Sequence, residues 1–241
     1  MKHVLLLGLL AACFPRCGVS KFTIAEPTDA IEAGGVHGSS VLLVSTASSD
    51  RKEFALTQAE VFGKYFRFAV VSEEDDPECT FCGEGGPFFS KLNPFGGRSV
   101  GWFCAAQRQL KALRTAALLS AGGWVVLIDD DTAVNPTALM RLISRLSNNS
   151  RVGDEYGGGA GFIFGPEALR ALSAPTPVKE MRFHMGEWSQ VENVSALDLC
   201  VRRAEGGEWC RLHADWLIAH CMRASGAGLI KKPGFLTVHV F

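Results

Sequence analysis

A chain of 241 residues, 47% hydrophobic and 20% charged, has the composition of a globular protein and the length of one sizeable domain rather than two. A formal net charge of −1 leaves no basic surplus for nucleic acid and no acidic run to act as a solvating tail.

The N-terminus departs from this average. Met1-Lys2-His3 precedes VLLLGLLAA, and Gly18-Val19-Ser20 offers a small-residue exit. This is the pattern of a secretory signal peptide over residues 1–20. The apolar stretch falls short of the roughly 20 residues a bilayer span requires, so membrane anchoring is not expected. The expected location is the ER or Golgi lumen, or the exterior. Of eight cysteines, Cys13 and Cys17 fall within the signal. The other six (Cys79, Cys82, Cys104, Cys200, Cys210 and Cys221) form an even set suited to disulfides in an oxidising compartment. Cys200 with Cys210 is the best single pairing, because the short intervening loop contains Gly206-Gly207. Cys79-x-x-Cys82 has the spacing of half a zinc site, but with no second CxxC and no nearby histidine it favours a disulfide. Two sequons, at Asn148 and Asn193, suit a glycoprotein.

Residues 21–38 lack periodicity and read as a short stem before a domain over 39–241. SVLLVS (40–45) predicts a strand. Phe54, Leu56, Ala59, Phe62 and Phe66 recur at roughly helical spacing, and FAVV (68–71) predicts a second buried strand. This β-α-β order suggests an α/β fold with a mostly parallel central sheet flanked by helices. The glycines and prolines of 79–101 predict a loop. Ala106, Leu110, Leu113 and Ala117 form the stripe of a long helix that Gly122-Gly123 ends. Then comes the strand WVVLI. Pro136 opens a further helix with Leu139, Ile143 and Leu146 on one face. A glycine-rich strand over 157–164 leads to Pro166 at the start of a short helix. Residues 173–212 read as a β-rich or irregular insertion, 215–223 as a helix and 235–240 as a last strand.

The strand WVVLI runs directly into Asp129, Asp130 and Asp131. Ligands of open α/β sheets bind at the carboxyl ends of strands. Three adjacent carboxylates repel one another, and partial burial sharpens the repulsion. A divalent cation relieves it, and one that also contacts phosphates would neutralise a diphosphate leaving group. The plain alternative is a solvated acidic turn. A haloacid-dehalogenase-type phosphatase, which also ends an apolar strand in D-x-D, suits the chain less well. Ala133 stands where that motif has Thr or Val, and the motif belongs on the first strand of its domain.

WVVLIDDDTAV, then GGGAGFIFGPEALRAL, then HADWLIAHCM and the late His239 resemble, in order and spacing, the fringe-like and core-1 galactosyltransferase-like β-1,3-glycosyltransferases. The likeness covers about residues 40–241. It implies a GT-A-type nucleotide-sugar-binding domain, Mn²⁺, a UDP-sugar donor and inversion at the anomeric carbon. Carried over, Asp131 and His239 would ligate the metal. Asp129 and Asp130 would contact the donor's sugar and ribose or support the metal through water, and Gly158, Gly159, Ala160 and Gly161 would line the pocket. Asp215 would be the general base. Taken alone, Asp215 reads as a helix N-terminal carboxylate and His239 as a packed strand residue. The expected function is transfer of a Gal- or GlcNAc-type sugar from a UDP-sugar to a glycan or glycoprotein hydroxyl. The late motif has a single acid, Ala214-Asp215, where the family shows two. That difference motivates the alternative of a non-catalytic, glycan-binding or chaperone-like module.

Overall fold

The computed structural model describes residues 24–72, 100–153, 161–175, 181–183, 186–188, 195–205, 214–224 and 229–230. Three two-residue strands come first: β1 (Ile24–Ala25), β2 (Glu32–Ala33) and β3 (Val36–His37). A strand–helix–strand unit follows, made of β4 (Val41–Ala47), α1 (Lys52–Phe62) and β5 (Arg67–Ser72). Next are α2 (Val100–Leu119), β6 (Trp124–Asp129), α3 (Pro136–Ile143), β7 (Arg151–Val152), β8 (Phe162–Phe164) and α4 (Pro166–Ser173). A hairpin of β9 (Met181–Phe183) and β10 (Gly186–Trp188) precedes α5 (Ala196–Glu205) and α6 (Ala214–Ala224). The signal-peptide segment, the loop over 79–99 and the strand expected at 235–240 lie outside the described residues.

Six strands form one sheet in the order β1-β5-β4-β6-β8-β7. The α/β class expected from the sequence stands, but the sheet is mixed rather than mostly parallel. Only the central β5-β4-β6 trio is parallel; β1, β8 and β7 each pair antiparallel with their neighbours. The reason lies in the connections. A helix such as α1 or α3 gives the chain the length to cross over and return in the same direction. The crossover through α3 lands β7 one place beyond β6's neighbour position. The chain then turns back, and β8 fills the gap in the opposite sense.

β4 is buried along its whole length, which is why it reads as a continuous apolar run rather than an alternating one. Side chains of the sheet point alternately to two cores. Leu42, Val44, Val125 and Leu127 face α2, α4, α5 and α6, whereas Val41, Leu43, Val126 and Ile128 face α1 and α3. Each fully buried leucine, isoleucine or phenylalanine in these layers contributes about 1.5–3 kcal/mol by leaving water. The expected stripe of α1 holds at its C-terminal end, where Phe62 and the following Phe66 are buried and Ala59 packs on the core, but not at Phe54 and Leu56. Ala55, Gln58 and Phe62 face the sheet, while Phe54 and Leu56 are 58% and 38% exposed.

Helix ends follow local chemistry. Asn135 caps α3 by accepting the Ala138 N–H at 3.0 Å, with Pro136 in the first turn. α2 stops where Ala121 and Gly122 take φ of +52° and +79°, outside the helical region. Residues 173–212 contain the β9–β10 hairpin and the helix α5, so the expected irregular insertion is partly helical. Cys200 of α5 is bonded to Cys221 of α6, not to Cys210. Helix packing chose the partner: α5 and α6 lie together against α2, with Cα atoms of the two cysteines 5.8 Å apart. Among the described residues, no helix is long and apolar enough to cross a membrane.

Candidate functional site

Strand alternation divides the three aspartates. Leu127 faces the α2 core and Ile128 the α1 core, so Asp129 returns to the α2 side. There, Gln109 of α2 donates from Nε2 to Asp129 Oδ1 at 2.6 Å. Thr46, the register partner of Asp129 on β4, lies 3.4 Å from the same oxygen. Desolvation pushes the Asp129 carboxyl above its usual value of 3.8, and the Gln109 hydrogen bond opposes the rise. The amide oxygen of Gln109 is buried and has no hydrogen-bond partner among the described residues.

Asp130 and Asp131 turn the other way, towards Arg51. One guanidinium nitrogen, Nη2, lies 3.1 Å from Asp130 Oδ1 and 3.3 Å from Asp131 Oδ2. The guanidinium also sits over the Phe54 ring, 5.6 Å from its centroid. Burial raises the Asp130 carboxyl to about 6 even though Arg51 pulls it down; the charges of Asp131 and Asp129 add to the rise. Arg51, like Gln109 and Thr46 beside Asp129, is a residue that the sequence reading missed. Its place follows from the pairing of the strands, since β4 and β6 are parallel neighbours and their following turns lie side by side. A cation just after β4 therefore meets the acids just after β6.

The turn itself is closed by the Thr132 N–H donating to Asp129 O at 3.1 Å. Gln58 of α1 reaches the same turn. Its Nε2 donates to Asp129 O at 3.0 Å and to Thr132 O at 2.8 Å, and its Oε1 accepts from Ser45 Oγ at 2.5 Å.

Of the other expected site residues, Gly161 has a φ of +82°, and a Cβ there would overlap the Leu127 carbonyl oxygen of β6. Its lack of a side chain is therefore demanded by the neighbouring strand. Gly158, Gly159, Ala160 and His239 lie outside the described residues. Asp215 is in the first turn of α6, and α6 packs against α2 on the face to which Asp129 points.

Asp130 and Asp131 offer one oxygen each to a single positive centre, with Arg51 standing in for a cation. Carboxylate oxygens so placed suit a hard divalent ion such as Mn²⁺ or Mg²⁺. Among the described residues, no group of three or more His, Cys, Asp or Glu is placed to hold a metal ion. No protein-family profile matches the chain, and no curated protein matches it in sequence.

Proposed function

We propose that the chain is an inverting, metal-dependent glycosyltransferase of GT-A type, moving a Gal- or GlcNAc-type sugar from a UDP-sugar to a glycan or glycoprotein hydroxyl. The observation that carries this reading is the convergence of Asp130 and Asp131 on one cation at the carboxyl end of the central strand. The sequence resemblance supplies the reaction class. Asp131, the more exposed of the pair at 28%, serves as metal ligand together with His239. Asp130 supports the same cation, and Asp129, held by Gln109, shapes the donor side with Gly158, Gly159, Ala160 and Gly161. Mn²⁺, when bound, neutralises the diphosphate leaving group.

Asp215 receives the proton of the acceptor hydroxyl. The acceptor oxygen bonds to the anomeric carbon from the face opposite the diphosphate, and the bond to the diphosphate breaks with its electron pair. Support for this role comes from the helix that Asp215 begins, since α6 packs into the same core as α2 and the Cys200–Cys221 disulfide ties it to α5.

The test is calorimetric titration of UDP with and without Mn²⁺, paired with a transfer or donor-hydrolysis assay. Asp131→Ala is expected to abolish Mn²⁺-dependent UDP binding; unchanged affinity would remove the metal assignment. Asp215→Asn is expected to keep binding and lose transfer, and normal turnover in that variant would remove the base. A second reading, a non-catalytic glycan-binding module, draws support from Arg51, whose charge already compensates the acidic pair without a metal. Absence of metal-linked UDP binding in the wild-type chain would favour it.

A further inference from the structure

We infer that Gln58 is a positioning residue for the acidic turn, a clamp through which α1 sets where Asp130 and Asp131 present their carboxylates. The inference rests on the glycosyltransferase reading and adds a residue to it.

Both N–H donors of the amide are used. Asp129 O and Thr132 O can only accept, so the NH₂ group must face them, and its two hydrogens serve one carbonyl each. That leaves Oε1 for the hydroxyl of Ser45, which has no other orientation of the amide to meet. The side chain is 8% exposed and Ser45 is fully buried, so water does not replace these bonds. The two carbonyls are the first and last of the turn that carries Asp130 and Asp131. Asp129 O also accepts the Thr132 N–H, so both of its lone pairs are occupied. The turn is thus bridged by one side chain from a neighbouring helix, and the carboxylates between its ends inherit a fixed direction.

The sequence arranges this through parity. Ser45 lies on the α1 side of β4, since Val41 and Leu43 do, whereas Thr46 faces the α2 side and meets Asp129. Gln58 takes a core-facing place on α1 between Ala55 and Phe62, where an apolar residue is the default. A buried glutamine there needs partners, and the turn after β6 provides them. Arg51, just before the same helix, holds the carboxylates by charge, while Gln58 holds the backbone beneath them.

The experiment uses the full chain and Gln58→Met, which keeps length and burial but has no N–H to donate. Hydrogen exchange by mass spectrometry reads the amides of 129–133, with β4 as an internal reference for global stability. Titration of Mn²⁺ with UDP reads the site. The expected result is faster exchange in 129–133 with β4 unchanged, and an affinity for Mn²⁺-UDP about ten- to a hundredfold weaker. Ser45→Ala, which frees the amide without removing it, is expected to give a smaller loss in the same direction and no added loss on top of Gln58→Met. Unchanged exchange at 129–133, beside a wild-type chain that binds Mn²⁺-UDP, overturns the clamp alone. Faster exchange with undiminished affinity overturns the positioning role. Failure of the wild-type chain to bind Mn²⁺-UDP overturns the functional reading, and the positioning role falls with it. If Gln58→Met does not fold, Ser45→Ala carries the same two readouts, with the same overturning results.

Discussion

Replacing Asp130 by asparagine tests whether the acidic turn is held under electrostatic cost. The folded chain places this carboxyl at about 6 against an ordinary value of 3.8. The folded state therefore binds the proton more tightly than the unfolded state. The cost of the charged form is fully present above about pH 6, fades as pH falls, and is absent below the unfolded value. At about 1.36 kcal/mol per pH unit, the displacement corresponds to roughly 3 kcal/mol. Relaxation of the turn and water around the charged carboxyl reduce this to about 1–2 kcal/mol, while screening of the 41% exposed Arg51 works in the opposite sense. Asp130→Asn is then expected to be the more stable protein at pH 7.5 in chelator, by about 1–2 kcal/mol, with the advantage gone by about pH 3. Urea denaturation followed by tryptophan fluorescence across this range measures the difference. An asparagine variant no more stable than wild type at pH 7.5, or an advantage independent of pH, would refute the reasoning. Saturating Mn²⁺ is expected to erase the advantage, because a bound cation stabilises the carboxylate that asparagine lacks.

Gly161→Ala is expected to cost at least about 2 kcal/mol, since it combines a left-handed backbone with an overlap on the β6 carbonyl of Leu127; a shift in thermal midpoint measures it. Replacing Cys200 and Cys221 by serine opens a crosslink between residues 21 apart and is expected to lower stability by about 3 kcal/mol. Urea denaturation of wild type and the double variant, both without reductant, is the comparison, and equal stability would remove the contribution of this crosslink.

The strongest elements were legible because a single residue type settles each of them. Pro136 and Pro166 open helices, Gly122 ends one, and the long apolar runs around Val44 and Val126 become central strands. What failed depended on tertiary pairing. β8 has three residues, too few for periodicity to reveal its direction, and it is antiparallel because of where α3 deposits the chain. Cys200 pairs across a helix–helix contact that spacing does not encode. α1 buries Gln58 and exposes Phe54, against the hydrophobic rule, because the helix faces a polar turn. At the site, a cation near the three aspartates was predictable from repulsion alone. Its identity in this structure, Arg51, follows from the parallel register of β4 and β6, which the sequence does not display.

The late arrival of β8 bears on how the chain survives its own synthesis. Until Phe162–Phe164 docks, one side of β6 has no partner, and VVLI offers another copy an apolar edge along which to pair. The three carboxylates stand directly at the end of that edge. A second chain adding there in register would bring its own aspartates beside them, at strand spacing and with no guanidinium between. Repulsion among the three aspartates would therefore oppose in-register addition of a second chain while the sheet is incomplete, as a gatekeeper against aggregation does.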